Sequence, residues 1–147
     1  MNRRQALGAM LSAAALSGCV APAIDSGAFT KNAERALTST LSETRTAHLV
    51  VSQLLSDKIT GPAADTSLSN AEDAIGPISA SFGKVQPPNP RDDSLRRRVL
   101  TLIEDASSAI AEARIAARRG DIAGLRSARA GLDSVSSDIE KAQGDLR

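Results

Sequence analysis

Four kinds of side chain in this sequence could carry chemistry: one cysteine, one histidine, several acidic pairs, and arginines that gather in two places. Cys19 has no second cysteine, which excludes a disulfide framework and a thiolate zinc site within one chain. His48 could ligate a metal or haem, or carry a proton. It has no second imidazole, and Arg45 stands three positions before it where a Glu-x-x-His pair would need glutamate. His48 therefore reads as a structural or half-exposed histidine on a helix stripe. Glu72-Asp73, Asp92-Asp93 and Glu104-Asp105 are sequence neighbours, which do not face one another on a helix, so they cannot converge as an acid/base pair. They read as helix-surface charges or dipole partners. The chain has no P-loop, no Gly-x-Ser-x-Gly elbow and no zinc motif. Arg119-Gly120-Asp121 spells the tripeptide that adhesion receptors recognise, but turn chemistry explains each of its residues. Neither catalysis nor a cofactor nor a bound metal is expected.

Composition narrows the remainder. With 147 residues the chain is long enough for one domain. An apolar fraction of 41% with two Phe, no Tyr and no Trp demands a core of Leu, Ile, Val and Ala. Such a core suits close helix packing and argues against a stacking platform for bases or sugars. The formal charge of +1 is too mixed for a disordered acidic or basic tail.

Residues 1–19 read as an address. Arg3 and Arg4 precede an apolar stretch from Ala6 to Leu16, which is of secretory length and too short to span a bilayer of about 30 Å. It ends in Leu16-Ser17-Gly18-Cys19. This segment resembles the signal peptides of bacterial lipoproteins, which close in a lipobox of an aliphatic residue, two small residues and a cysteine. The resemblance implies a signal peptide over 1–18, a diacylglyceryl group on the Cys19 thiol, and cleavage that makes Cys19 the new N-terminus. Two acyl chains hold a protein stably at a bilayer where one does so only marginally. Asn2-Arg3-Arg4-Gln5-Ala6-Leu7 also resembles a twin-arginine export signal, with Ala6 a weak substitute for a larger apolar residue, so both export routes stay open. Loss of Arg3 and Arg4 leaves 16 basic against 17 acidic residues, a net of −1, and no general affinity for nucleic acid is expected.

Residues 19–26 read as a lipidated tether, and 27–147 as a helical domain. Over Val20 to Asp25 the tether would reach roughly 20 Å at about 3.3 Å per residue. Beyond it, apolar residues recur in steps of three and four. The spacing predicts helices over about 27–59, 62–85, 90–119 and 122–144. Pro62 suits the first turn of the second helix, and Gly76-Pro77 inside it predicts a kink. Asn89-Pro90 opens the third, Gly120 stops it, and Asp121 caps the fourth. No segment alternates as a strand would. The expected fold is all-α, an antiparallel up-down-up-down four-helix bundle; the alternative is a three-helix bundle with the second segment split into two pieces. Near-heptad spacing also permits association with a second chain. Gly124 and Gly131 lie seven apart on one flank of the last helix, and close approach of another helix, either within the bundle, which is preferred, or between two chains, would explain them.

In that topology Arg96, Arg97 and Arg98 fall at the membrane-proximal end, where anionic headgroups attract basic residues. Arg114, Arg118, Arg119, Arg126 and Arg129 gather at the distal tip, interleaved with Glu112, Asp121 and Asp133, and could meet an acidic envelope protein or an anionic wall polymer. Ala64-Asp65, Leu68, Ala71-Glu72, Phe82, Pro87-Pro88 and Arg114-Ile115-Ala116-Ala117-Arg118-Arg119-Gly120-Asp121 are loosely similar to small helical envelope proteins of actinobacteria, a resemblance that implies no activity. The expected function is a non-catalytic interaction or scaffold module, lipid-anchored on the outer face of the cytoplasmic membrane. The alternative is a bundle holding an apolar or anionic small molecule beside Gly76-Pro77.

Overall fold

A computed structural model describes residues 23–146. The expected signal peptide 1–18, Cys19 and the tether as far as Pro22 lie outside the described residues. Four helices follow: α1 (Ser26–Leu55), α2 (Gly61–Gly83), α3 (Asp93–Arg119) and α4 (Ile122–Gly144).

Three of the four helices, α1, α2 and α4, begin on a side-chain cap. Asp25 accepts from the Ala28 amide at 2.7 Å, Thr60 from Ala63 at 3.4 Å, and Asp121 from Gly124 at 2.9 Å. Asn89 accepts from the Arg91 amide at 2.9 Å, opening a single 3-10 turn, Pro90–Asp92, that leads into α3. The last turn of α3 closes on Gly120, whose left-handed φ of 63° suits a residue without a Cβ. α1 ends four residues earlier than the spacing predicts. Asp57 takes a left-handed φ of 53°, and the amides of Asp57 and Lys58 return to Leu54 and Gln53. α2 runs unbroken through Pro77, so the second segment is one helix and the three-helix alternative does not hold.

Every sequence neighbour packs antiparallel on the next, and α1 closes the ring on α4. α1 and α3 also meet across the centre and form the short diagonal of the bundle. The core is aliphatic, as the composition demands. Leu37, Leu68, Ile103, Ile110, Leu125 and Leu132 are among its fully buried side chains. The one aromatic contact joins Phe29 of α1 to Phe82 of α2, centroids 5.7 Å apart. Three hydroxyls are buried with it, and each turns back on its own helix. Thr40 donates to Ala36 (2.9 Å), Thr44 to Thr40 (2.8 Å) and Ser136 to Leu132 (2.8 Å), so none remains unsatisfied.

The two glycines of α4 part company. A Cβ on Gly124 would stand 3.2 Å from the Ala116 Cβ of α3 and 2.5 Å from Oδ2 of its own cap, Asp121. Close approach therefore explains Gly124. A Cβ on Gly131 would meet nothing within 4 Å, which corrects the expectation for that position. Gly131→Ala should stabilise the bundle by up to ~1 kcal/mol through helix propensity. Gly124→Ala should gain nothing, because the same increment is offset by displacing a cap worth about 1 kcal/mol. Urea titrations of the two variants check the contrast, and equal gains would refute it.

Candidate functional site

The topology sorts the polar residues into two ends and a groove. At the end of the bundle that carries the α2–α3 connection and the α4 terminus, the start of α1 is tied to that connection. The Ala23 amide donates to the Gln86 carbonyl at 3.3 Å. Ser26 Oγ donates to Asp92 Oδ2 at 2.8 Å, and the Asn89 amide reaches both groups at 2.8 and 2.7 Å. Ala23 to Ser26 thus belong to the fold rather than to a free tether. Even fully extended, the four residue steps from Cys19 to Ala23 could reach no more than about 13 Å.

The three adjacent arginines at this end have three different fates. Arg96 is half-buried and donates to the Gly83 carbonyl at 2.7 Å, satisfying the C-terminus of α2. Arg98 pairs with Asp145 at 2.8 Å, tying α3 to the end of α4. Arg97 is exposed and makes no ion pair among the described residues. Lys84 and Arg91 join it as exposed cations at this end, and Ile24 stands 94% exposed beside them in the chain entering α1. These three were not legible as a set, because their shared end depends on how α2, the loop and α3 fold together.

The arginines near the α3–α4 turn divide as well. Arg114 grips Glu72 of α2 through two guanidinium nitrogens in a half-buried pair. That hydrogen bond, and then the Glu72 charge, raises the Arg114 guanidinium above its ordinary value. Arg118 lies 3.9 Å from Asp65 at the start of α2. Arg114 is drawn into the α2–α3 seam, whereas Arg118 stays 61% exposed at a distance too long for a hydrogen bond. Arg119, Arg126 and Arg129 remain exposed without an ion pair among the described residues. Beside them Ile115 and Ile122 are 42% and 49% exposed, flanking the α3–α4 turn. The tip is therefore mixed, with apolar and cationic groups and the exposed carboxylates of Glu112 and Asp121 among them, rather than a purely basic patch.

The groove runs between α1 and α2 alongside Pro77 and has a volume of about 320 Å³, open on one side. Its floor is Ala36, Ile78, Phe82 and Val85; its rim is Asn32, Arg35 and Ser39 of α1 with Ser81 of α2. Asn32, Arg35 and Ser39 follow one another at steps of three and four, on the flank of the α1 stripe that carries Phe29, Ala33 and Leu37. That spacing could have disclosed the rim, but not the helix it faces.

His48 is half-buried, and no group of three His, Cys, Asp or Glu side chains among the described residues could hold a metal. No helix among the described residues is long and apolar enough to cross a membrane. No protein-family model matches this chain, and no curated protein or solved structure matches it either.

Proposed function

We propose that this protein is a lipid-anchored helical bundle of the bacterial cell envelope, held on the outer face of the cytoplasmic membrane, where it serves as a non-catalytic interaction or scaffold module. The observation that carries this reading is the lipobox, Leu16-Ser17-Gly18-Cys19, with the first described residue of the bundle only four positions later. A short link makes the anchored end the one built from the α2–α3 connection and the α4 terminus. The α1–α2 and α3–α4 turns then point away from the bilayer. Arg119, Arg126 and Arg129 with Ile115 and Ile122 supply what a protein contact needs there, apolar area rimmed by charge. An acidic envelope protein or an anionic wall polymer fits that surface.

Replacing Cys19 by Ser tests the anchor. The wild-type chain should remain with membranes through a carbonate wash and carry a diacylglyceryl mass increment, and the variant should do neither. Retention of the variant after the wash would sink the lipoprotein reading. With the anchor intact, a Glu scan of Arg119, Arg126 and Arg129 should abolish recovery of a cross-linked partner without altering the helical circular dichroism. A second reading, a bundle that binds a small molecule, is favoured by the α1–α2 groove.

A further inference from the structure

We infer that the groove between α1 and α2 binds a single-chain anionic amphipath, a long-chain carboxylate or a monoacyl phosphate. Its head group would meet Arg35 and its hydrocarbon would lie along Ile78, Phe82 and Val85. This gives a ligand class to the second reading above and does not depend on the lipid anchor.

The rim fixes the sign of the head group. Arg35 is exposed, forms no ion pair among the described residues, and is the only charged group lining the groove. Asn32, Ser39 and Ser81 add neutral donors around it, and no carboxylate is present to repel an anion. A cationic or zwitterionic head would find no acceptor charge there.

The floor fixes the tail. Ile78 and Val85 are only partly buried against the core, while Phe82 and Ala36 close the bottom at 3% and 8% exposure. From Pro77 to Phe82 the α2 wall rises about 1.5 Å per residue, roughly 8 Å of apolar track, and Val85 extends it just past the helix end at Gly83. The volume of about 320 Å³ lies at the lower end of ordinary small-molecule sites, about 300–1,000 Å³, which suits one chain rather than two. Register agrees with this pose. Phe29 stacks beside Phe82, so Arg35, six residues further along α1, stands about 9 Å above that ring, near Pro77. Head and tail therefore fall at opposite ends of the track, the tail toward the anchored end.

The absence of Trp and Tyr makes the test clean. In the full chain carrying Cys19→Ser, Val85→Trp places one reporter at the lower end of the groove, and Ser108→Trp places a control on the exposed face of α3. Titration with 9,10-dibromostearate should quench the groove reporter saturably at one ligand per chain and leave the control unchanged. Adding Arg35→Glu, or using the methyl ester of the same acid, should weaken binding at least tenfold. Displacement by stearate or by monostearoyl phosphate then identifies which head group is preferred. Equal quenching of both reporters, or binding indifferent to Arg35→Glu and to esterification, overturns the proposal. Should Val85→Trp unfold, thermal melts of the unaltered groove decide the matter: stearate should raise the midpoint of the parent chain and not that of Arg35→Glu, and no shift in either refutes the site.

Discussion

Phe29→Ala should destabilise the bundle by about 3–5 kcal/mol, the largest effect of any single truncation in this core. Phe29 is fully buried in the first turn of α1, and its ring meets Phe82 near the end of α2 at a tilted 39°. No other aromatic side chain exists to take up the space, and the neighbours are aliphatic groups whose backbones are held by continuous helices. The cavity would therefore persist rather than collapse, which is the condition under which large-to-small changes cost most. Against a total stability of about 5–15 kcal/mol for a domain of this kind, such a loss removes much of the margin. Phe82→Ala should cost a similar amount, and the double variant less than the sum by about 0.5–1.5 kcal/mol, the coupling of an aromatic pair. Guanidinium titration at 25 °C measures all three. A loss below about 1 kcal/mol for Phe29→Ala would mean that the start of α1 is not docked in solution, and the groove beside Phe82 would lose its floor with it.

The same pair shows what the sequence could and could not disclose. Phe29 and Phe82 both lie on stripes spaced by three and four, so their burial was legible, as was that of Leu37, Leu68, Ile103, Ile110, Leu125 and Leu132. The stops at Gly120 and the caps at Asn89 and Asp121 were legible too, because each is set by the conformational preference of one residue type. Ala36, Thr40, Ala47 and Ala117 are buried although they fall beside those stripes. They lie on α1 and α3, the two helices of the short diagonal, which touch three neighbours each and so bury a wider arc than one stripe. The fates of the arginines were hidden for a different reason. Arg114 finds Glu72 across 42 residues of sequence, and Arg98 finds Asp145 across 47. Those meetings depend on the axial register of two helices, which a periodic pattern leaves free by a turn in either direction. A charge cluster read along one chain is thus an upper limit on what a partner can meet. Here Arg114 serves the fold, and Arg118, Arg119, Arg126 and Arg129 remain exposed.

Pro77→Ala should raise stability by about 1–3 kcal/mol, an unusual direction for a change inside a helix of a packed bundle. Proline in a helix interior is disfavoured by ~3 kcal/mol relative to alanine, since it lacks an N–H and its ring crowds the preceding turn. In α2 the group deprived of its donor is the Asp73 carbonyl, and Asp73, Gly76 and Pro77 are all exposed, so water can substitute and the helix continues. Part of the gain is offset, because proline also restricts the unfolded chain by about 0.4–1 kcal/mol. In a domain of this size the net should appear as a rise of several degrees in the thermal midpoint. The ring is also a wall of the groove, at the level of Arg35, where the head group of a bound amphipath would sit. Pro77→Ala should therefore bind 9,10-dibromostearate more weakly while melting later, the opposite signs expected where a fold gives up stability to shape a site. A variant that melts later and binds as well as the parent would show that the proline shapes no part of the site. One that melts earlier would mean that the turn around Asp73 is built for the proline, and that an added amide finds no partner there.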